Sequence, residues 1–274
     1  MTLWSDKHVL ITGGSSGIGL AVGQLVAARG AHVTLIARDP QRLEAARESV
    51  RASCVSRDQK VLALSASVED WDRISTVVQT AEAFTGPIDV LVTSAGYCYP
   101  ARFADTSPDE LRSQVEVNLV GTLMAARAVV PSMIARRSGH IAMLSSAAGL
   151  IGVYGYGGYS PAKFGVIGLG EVLRNELKPD GVGVSVICPP NVDTPGYARE
   201  IAIEPAETAK INGTAQAWSP EAIGDVVLRA IERRRFMSVP GFGFLRRIKG
   251  LVPEVFYAVI DRNVASVRRG GGRA

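Results

Sequence analysis

The chain has 274 residues, a net charge of +4, and 47% hydrophobic against 20% charged residues, a composition typical of a folded protein of one large domain or two small ones. Three scattered cysteines without a CxxC pair argue against a disulfide scaffold and a metal site, and three isolated histidines argue against a Cys–His or Ser–His nucleophile. The first residues form no charged-then-apolar signal segment, and no uninterrupted apolar run reaches the ~18–20 residues of a membrane span, so we expect a cytoplasmic protein.

In chain order, short apolar runs alternate with segments of helical spacing. Because the runs are continuously apolar, they predict strands that are buried on both faces of a parallel sheet. The helices between them predict an α/β fold with a doubly wound parallel sheet. We expect strands at residues 8–11, 32–37, 61–64, 88–93, 141–144 and 182–187. We expect helices at residues 17–29, from 40 onward, at 70–84, 108–136 and 163–177, another from about 220, and a last helix from Pro253.

The regular pattern weakens after Pro189, and the charge changes near the C-terminus. Residues 229–274 contain 11 Lys and Arg against 3 Asp and Glu, so the rest of the chain carries a net charge of −4. We predict a single domain over residues 1–240 and a basic, apolar, helical extension over 241–274 with a disordered end. A basic end on an acidic body is unlike a nucleic-acid-binding domain. It suggests a membrane surface or another anionic partner.

A glycine-rich turn, TGGSSGIG, lies between the first predicted strand and the first predicted helix. Glycines let the backbone approach a pyrophosphate, and the helix N-terminus offers free N–H groups and a positive dipole. This position favours a dinucleotide site over a plain tight turn, which is the other reading of a glycine-rich sequence. The predicted cofactor-binding residues here are Gly13, Ser15, Ser16, Gly17, Ile18 and Gly19.

Arg38 lies at the end of the second predicted strand, 19 residues after Gly19. An acidic residue here would bind the ribose 2′-hydroxyl of NAD, whereas an arginine pairs with the 2′-phosphate of NADP. Arg38 therefore predicts NADP(H), with Arg42 as a second cation; a solvated surface charge is the alternative. The neighbouring Asp39 could be read as a signal for NAD, but we interpret it as the N-cap of the helix that begins at Pro40.

Tyr159 and Lys163 are four residues apart, so on a helix their side chains share a face. A cation beside a phenol favours the phenolate. We therefore expect Lys163 to lower the pKa of Tyr159, which could then exchange a proton with a carbonyl oxygen or an alcohol. Ser146 follows a predicted strand at its carboxyl end, where α/β sites lie, and its hydroxyl could bond the same substrate oxygen. We expect one of Ser145 and Ser146 to bond the local backbone instead.

Four motifs occur in order: TGGSSGIG, Asn118 at the start of NLVG, Ser146, and the Tyr159–Lys163 pair. Together they resemble the short-chain dehydrogenase/reductase family over about residues 5–240. The resemblance implies an NADP(H)-dependent oxidoreductase, a Rossmann-type sheet of about seven strands, and a homodimer or homotetramer. It assigns acid/base chemistry to Tyr159, tuning of that phenol and the nicotinamide ribose to Lys163, substrate orientation to Ser146, and a water of the proton relay to Asn118. A buried amide at a helix irregularity is the other reading of Asn118, and the two are compatible.

Further cofactor residues follow from the same resemblance. Ala95 and Gly96 permit close approach of the adenosine side, and Val192 and Thr194 match positions that hold the carboxamide and phosphate region. Ser67 departs from the pattern, because the family usually has an Asp there. The usual contact with the adenine amino group is therefore not predicted for this chain.

Three local stretches resemble one branch of the family: residues 152–159, 177–179 and 189–197. That branch reduces a 3-ketodihydrosphingosine-like lipid ketone with NADPH. A lipid ketone requires an apolar channel, which Tyr154, Tyr156, Tyr197 and the segment 195–218 could wall. The C-terminal extension could lie at a membrane surface, or pack on the domain or on a partner subunit.

Other functions stay open at this point. The chain could reduce 3-oxoacyl chains, steroids or xenobiotic ketones with the same residues. It could be a non-catalytic dinucleotide sensor, because a fold does not imply a function. It could also be a lipid-surface protein whose functional part is the extension.

Overall fold

The computed structural model describes residues 3–213 and 216–241, together with 243, 254, 258, 261–262 and 264–267. The strands in this described part are β1 His8–Thr12, β2 His32–Ala37, β3 Val61–Ser65, β4 Val90–Thr93, β5 His140–Leu144, β6 Gly183–Ile187 and β7 Met237–Ser238. They form one parallel sheet in the order β3-β2-β1-β4-β5-β6-β7. The predicted doubly wound, Rossmann-type sheet is confirmed.

Helices connect the strands and cover both faces of the sheet. They are α1 Gly17–Ala27, α2 Pro40–Ala52, α3 Trp71–Thr85, α4 Pro108–Val115, α5 Gly121–Arg136, α6 Tyr159–Leu177, α7 Pro195–Ile201, α8 Ala206–Asn212 and α9 Pro220–Glu232. Sequence patterning predicted no regular element where α7 and α8 lie. Each of these helices has seven residues, which is too few to show an amphipathic period.

Two hydrophobic cores explain why the strands are continuously apolar. In β1, Val9 and Ile11 lie in the core formed with α1, α2 and α9. Leu10 lies in the opposite core, formed with α3, α5 and α6. Successive strand residues point to opposite faces, so every residue of a strand that is covered on both sides is buried.

The strand order creates a crevice at one edge of the sheet. In parallel register, Val9 of β1 pairs with Val33 of β2 on one side and with Val90 of β4 on the other. The chain therefore winds outward from β1 in two directions. The loops that follow β1 and β4 diverge at this switch point, where ligands bind in open α/β sheets.

The helix predicted over residues 108–136 is continuous but not regular. A single π-helical turn, Glu116–Val120, joins α4 to α5. By length and composition alone this stretch could cross a membrane, but in this fold Ala125, Val129 and Met133 pack into the core beside the sheet. The π turn contains Asn118, so it shapes the environment of a predicted catalytic residue.

Only ten of the 34 residues of the predicted extension over residues 241–274 are among the described residues. Its apolar face, its contacts and the predicted disorder of its end therefore stay predictions, as does the domain boundary near residue 240.

Candidate active site

A cavity of about 710 Å³ opens beside the loops that follow the carboxyl ends of the strands. Its volume is within the range of roughly 300–1,000 Å³ that is usual for small-molecule sites. All but one of the predicted site residues line this cavity: Gly13, Ser15, Ser16, Gly17, Ile18, Arg38, Ala95, Gly96, Asn118, Ser146, Tyr159, Lys163, Val192 and Thr194. A shared cavity is what their predicted roles require.

The glycine-rich turn lies tight against neighbouring backbone. A Cβ on Gly13, which has a φ of +69°, would lie 2.6 Å from the backbone nitrogen of Ala95, so only glycine fits here. Gly19, the exception, does not line the cavity; a Cβ there would overlap the Gly13 carbonyl, so this glycine allows α1 to begin directly beside the turn. Ser16 makes no side-chain cap, and the first turn of α1 carries no acidic residue. The N-terminus of α1 therefore suits an anionic phosphate.

The end of β2 presents two exposed cations to the cavity, Arg38 and Arg42. Asp39 is the N-cap of α2, as predicted, because its carboxylate accepts from the N–H groups of Gln41 and Arg42 at 3.0 and 3.1 Å. The Arg42 guanidinium also pairs with this carboxylate at 3.4 Å. Arg38 forms no ion pair with the described residues. Arg38 is therefore the better candidate to bind a phosphate.

The loop after β3 lies at the same end of the cavity. Ala66, Val68 and Glu69 line it, whereas Ser67 does not. The residue in the position of the family's usual Asp is therefore not part of the cavity wall.

Tyr159 is the first residue of α6, and Lys163 lies one turn later. Lys163 is buried; its ammonium donates to the Leu144 carbonyl at 3.0 Å and lies 5.4 Å from the centroid of the Tyr159 ring. The buried Ser145 hydroxyl donates to the Lys163 carbonyl at 2.8 Å. These two hydrogen bonds fix the start of α6 to the end of β5. The predicted sharing of one helix face is confirmed.

The predicted net lowering of the pKa of Tyr159 is wrong for this structure, because burial outweighs what a neighbouring cation contributes. Burial raises the pKa of Tyr159 well above its ordinary value, and the Glu200 carboxylate raises it further. Burial also lowers the pKa of Lys163 to about 8. Lys163 is buried and Tyr159 is half-buried in the cavity wall, so an ammonium or a phenolate at these positions loses much of its hydration. Sequence spacing shows that the two side chains are neighbours but not how deeply they are buried.

Ser146 lies beside the Tyr159 hydroxyl. It is the N-cap of the short 3-10 turn Ala147–Gly149, and its Oγ accepts from the Ala148 N–H at 3.1 Å. Because this oxygen accepts from the backbone, the hydroxyl proton is available to the Tyr159 hydroxyl. The hydrogen bond between Ser146 and Tyr159 lowers the pKa of that phenol. Both Ser145 and Ser146 therefore bond the backbone, but Ser146 also reaches the phenol.

Asn118 is fully buried in the π turn. Its amide nitrogen donates to the carbonyls of Tyr97 and Gln114, both at 2.8 Å, so it is a buried amide at a helix irregularity. Its Oδ1 has no hydrogen-bond partner in the described part of the chain, an arrangement that is costly for a buried acceptor. A Cβ on Gly96 would overlap this oxygen and lie 3.4 Å from Lys163 Nζ. Gly96 thus keeps open a space in which one polar group could bond to both side chains.

The other end of the cavity combines two of the tyrosines predicted for the channel wall, Tyr156 and Tyr197, with residues that the sequence patterns did not single out. Tyr156 meets the Tyr159 ring edge-on, with centroids 5.5 Å apart and planes at 87°. Glu200 of α7 also lines this end, and α7 is too short for its pattern to have revealed an inward face. Tyr197 lines the cavity, as expected, but Tyr154 lines a separate groove. Apolar residues supply much of the remaining wall: Leu150, Ile151, Val153, Ile203 and Ile211.

Comparisons with known proteins agree with this geometry. The family model of short chain dehydrogenase matches residues 7–202. A 3-dehydrosphinganine reductase of Danio rerio is 38% identical over 235 residues, which cover 85% of this chain and 71% of the relative. A 3-ketodihydrosphingosine reductase of Bos taurus is 35% identical over the same shares of the two chains.

A solved structure of a short-chain dehydrogenase from Sphingobium yanoikuyae in complex with NADPH has a TM-score of 0.77 at 26% identity, and the match covers 89% of this chain and 91% of that chain. The family match spans the strands from β1 to β6 and includes all the predicted catalytic residues. The chain therefore belongs to the short-chain dehydrogenase/reductase family of oxidoreductases, which use a nicotinamide dinucleotide cofactor.

Proposed function

We propose that this protein is an NADPH-dependent reductase that converts the ketone of a long-chain, 3-ketodihydrosphingosine-like lipid into an alcohol. One observation carries this proposal. Two relatives that are named as reductases of this ketone are 35% and 38% identical to the chain over 71% of their own length. The cavity supports the substrate class, because apolar side chains line the end that lies beyond Tyr159.

The described residues fit a phosphorylated dinucleotide. The uncapped N-terminus of α1 and the tight turn at Gly13 suit a pyrophosphate. The unpaired Arg38 suits a 2′-phosphate, so NADPH is the form of the cofactor that we propose. When bound, NADPH would supply the hydride that reduces the carbonyl carbon.

Side chains of the protein would supply and replace the proton that the new alcohol requires. The Tyr159 hydroxyl would donate a proton to the carbonyl oxygen as that oxygen becomes an alkoxide. The Ser146 hydroxyl, whose oxygen is already held by the Ala148 N–H, would donate a hydrogen bond to the same oxygen. The Lys163 ammonium, fixed by the Leu144 carbonyl, would favour the phenolate that remains. The unpartnered Oδ1 of Asn118 would accept from a group that returns the proton to the site.

An apolar wall would hold the lipid chain. Ile203 and Ile211 belong to the segment that carries α7 and α8, and Leu150 and Val153 belong to the loop after β5. Burial of a long alkyl chain against these side chains contributes roughly 0.8 kcal/mol per methylene group. A small ketone cannot gain this free energy, so we expect a strong preference for the long chain.

The test is the rate of NADPH oxidation by the purified protein with 3-ketodihydrosphingosine, a 3-oxoacyl thioester and a small aromatic ketone. We expect the sphingoid ketone to give the highest kcat/KM, and Tyr159→Phe to abolish turnover while NADPH binding, followed by fluorescence, persists. Turnover of the other ketones alone would overturn the proposed substrate. Full activity of Tyr159→Phe would overturn the proposed proton donor.

We also propose that the basic extension over residues 241–274 holds the protein at the surface of a membrane, with the domain on the cytoplasmic side. The support is its charge, which is opposite to that of the rest of the chain. Sedimentation with anionic and with neutral phospholipid vesicles would test this. Binding to anionic vesicles should be lost when Arg246, Arg247 and Lys249 are replaced together by Gln; equal binding to both vesicle types would contradict the proposal.

A homodimer or homotetramer is the assembly that we propose. Apolar side chains are exposed on α5 and α6, among them Leu123, Ile134, Phe164 and Val172, and such residues mark surfaces that bind other subunits when they form one patch. Analytical ultracentrifugation of the full chain would test this, and a mass of one subunit at all concentrations would contradict it.

A further inference from the structure

Glu200 is an acidic residue in a place that is unfavourable for an acid. It lines the catalytic cavity from α7, on the side of Tyr156 and Tyr197. Burial, with a smaller contribution from the negative charge of Glu204, raises its pKa from 4.5 to about 7, and the attraction of Lys163 and Arg199 offsets this only in part. No Lys, Arg or His of the described residues lies within 4.0 Å of its carboxylate. The carboxylate therefore faces the cavity without a cation of its own.

The nearby Glu204 shows the contrast. Its carboxylate accepts from the amide of Asn212 at 2.9 Å, and the same amide also reaches the Tyr156 hydroxyl at 3.3 Å. Glu204 is absent from the cavity wall, whereas Glu200 belongs to it. The two acids of this segment thus differ: one is held by its neighbours, and the other is open to whatever enters the cavity.

Glu200 also acts against the chemistry proposed for this site. Its negative charge is the largest influence after burial that raises the pKa of Tyr159, which opposes the formation of the phenolate that remains after proton donation. Lys163 is the cation that lowers the pKa of Glu200 most, but its ammonium already donates a hydrogen bond to the Leu144 carbonyl. A bound cation next to Glu200 would neutralise this influence.

We infer that Glu200 binds the ammonium group of an amino ketone substrate, so that it selects ketones with a cationic amine beside the carbonyl. The inference rests on the proposed function and deepens it, because a 3-ketodihydrosphingosine-like lipid carries an amine on the carbon next to its ketone. An α-amino group has an ordinary pKa of about 7.7–8.0, so it is mostly protonated near pH 7. The ammonium would donate to the Glu200 carboxylate while the neighbouring carbonyl oxygen faces Tyr159 and Ser146.

The position of Glu200 also links binding to turnover. A ketone without the amine would leave the carboxylate uncompensated beside Tyr159, whereas the amino ketone brings the compensating charge with it. Charge-assisted hydrogen bonds in sites shielded from water are stronger than neutral ones. Glu200 therefore contributes both to affinity and to the choice between substrates that have the same alkyl chain.

The test compares two ketones with the same chain and the same hydroxyl group, one with the amine and one with hydrogen in its place. NADPH oxidation is measured for the wild-type protein, for Glu200→Gln and for the matched control Glu171→Gln, which changes an exposed glutamate of α6. We expect Glu200→Gln to lower kcat/KM for the amino ketone by about 10- to 100-fold, mostly through KM, as loss of a hydrogen bond to a charged group predicts. Glu200→Gln should reduce the ketone without the amine at least as well as the wild type does. Glu171→Gln should match the wild type with both.

The outcomes separate the two proposals. If the wild type reduces neither long-chain ketone, the proposed function fails, and the inference fails with it. If the wild type reduces both and Glu200→Gln changes them equally or changes neither, the inference fails while the proposed function stands. Retention of NADPH binding by Glu200→Gln shows that the variant is folded, and Glu200→Ala gives the same comparison if the glutamine variant cannot be purified.

Discussion

The carboxyl group of Glu200 should destabilise the folded protein above neutral pH. Its pKa is raised from 4.5 to about 7 in the fold, chiefly by burial. Below pH ~4.5 the group is protonated in both states and has no effect. Between pH ~4.5 and pH ~7 the Glu200 carboxyl group loses its proton in the unfolded chain before it does so in the folded protein, so the free energy of unfolding falls as the pH rises. Above pH ~7 the full effect is present, because the folded protein then holds a carboxylate that is less favourable than in water.

The size of this effect follows from the shift. Each pKa unit corresponds to about 1.4 kcal/mol, so a rise from 4.5 to about 7 corresponds to an upper limit of about 3.5 kcal/mol. Replacement by Gln keeps the shape of the protonated acid and removes its charge. Part of this gain in stability is lost again, because the Lys163 ammonium is then no longer attracted by a negative charge at position 200. We expect Glu200→Gln to be more stable than the wild type by about 1–3 kcal/mol at pH 8.5 and nearly equal to it at pH 4.5.

The assay is urea unfolding of the cofactor-free wild type, Glu200→Gln and the exposed control Glu171→Gln, at several values between pH 4.5 and 8.5. The quantity of interest is the difference between variant and wild type, since other titrating groups are common to both. In thermal unfolding the same gain should raise Tm by roughly 2 °C or more per kcal/mol. A difference that does not grow with pH, or a variant that is less stable throughout, would refute the reasoning about the buried carboxyl group.

Three further changes have definite expected outcomes. Arg38→Asp should reduce the preference for NADPH over NADH by about 10- to 100-fold, because it removes a charged partner of the 2′-phosphate; kcat/KM for each cofactor measures this. Gly96→Ala should lower kcat roughly 100-fold and the free energy of unfolding by about 1–3 kcal/mol, because its Cβ would displace the buried Asn118 amide oxygen and approach Lys163 Nζ. His140 is neutral and buried, with its pKa lowered by burial to about 4, so the unfolded chain takes up a proton first as the pH falls below ~6.5. Stability should then decline by up to about 3 kcal/mol towards pH 4, and urea unfolding should show a weaker decline for His140→Gln.

Each of these three predictions has its own contrary result, and Gly96→Ala also has a control variant. An unchanged cofactor ratio would remove Arg38 from the phosphate site. Gly168→Ala is the control for Gly96→Ala, since a Cβ at position 168 would meet nothing within 4 Å; equal activity of the two variants would show that the space beside Asn118 is not needed. An acid-induced loss of stability that is the same in His140→Gln and in the wild type would assign that loss to other groups.

The sequence alone determined the fold and the position of the site along the chain. Continuous apolar runs can be buried only in a sheet that is covered on both sides, and β1 shows this with alternate residues in opposite cores. The glycine-rich turn between the first strand and the first helix then locates the cofactor end of the site, because the N-terminus of a helix after such a turn suits a pyrophosphate. The Tyr159 and Lys163 pair was also readable, since four residues make one turn of a helix.

Only the tertiary structure decided how the site residues are charged and held. The pKa of Tyr159 is raised rather than lowered, because burial and Glu200 act together and the two residues come from separate helices, α6 and α7. Gly19 proved to be a packing residue, and Asn118 sits in a π turn that no sequence period reveals. The physical reason is common to these cases. Local spacing determines which side chains share a face of one element, whereas hydration and the distance between charges depend on segments that only the folded chain brings together.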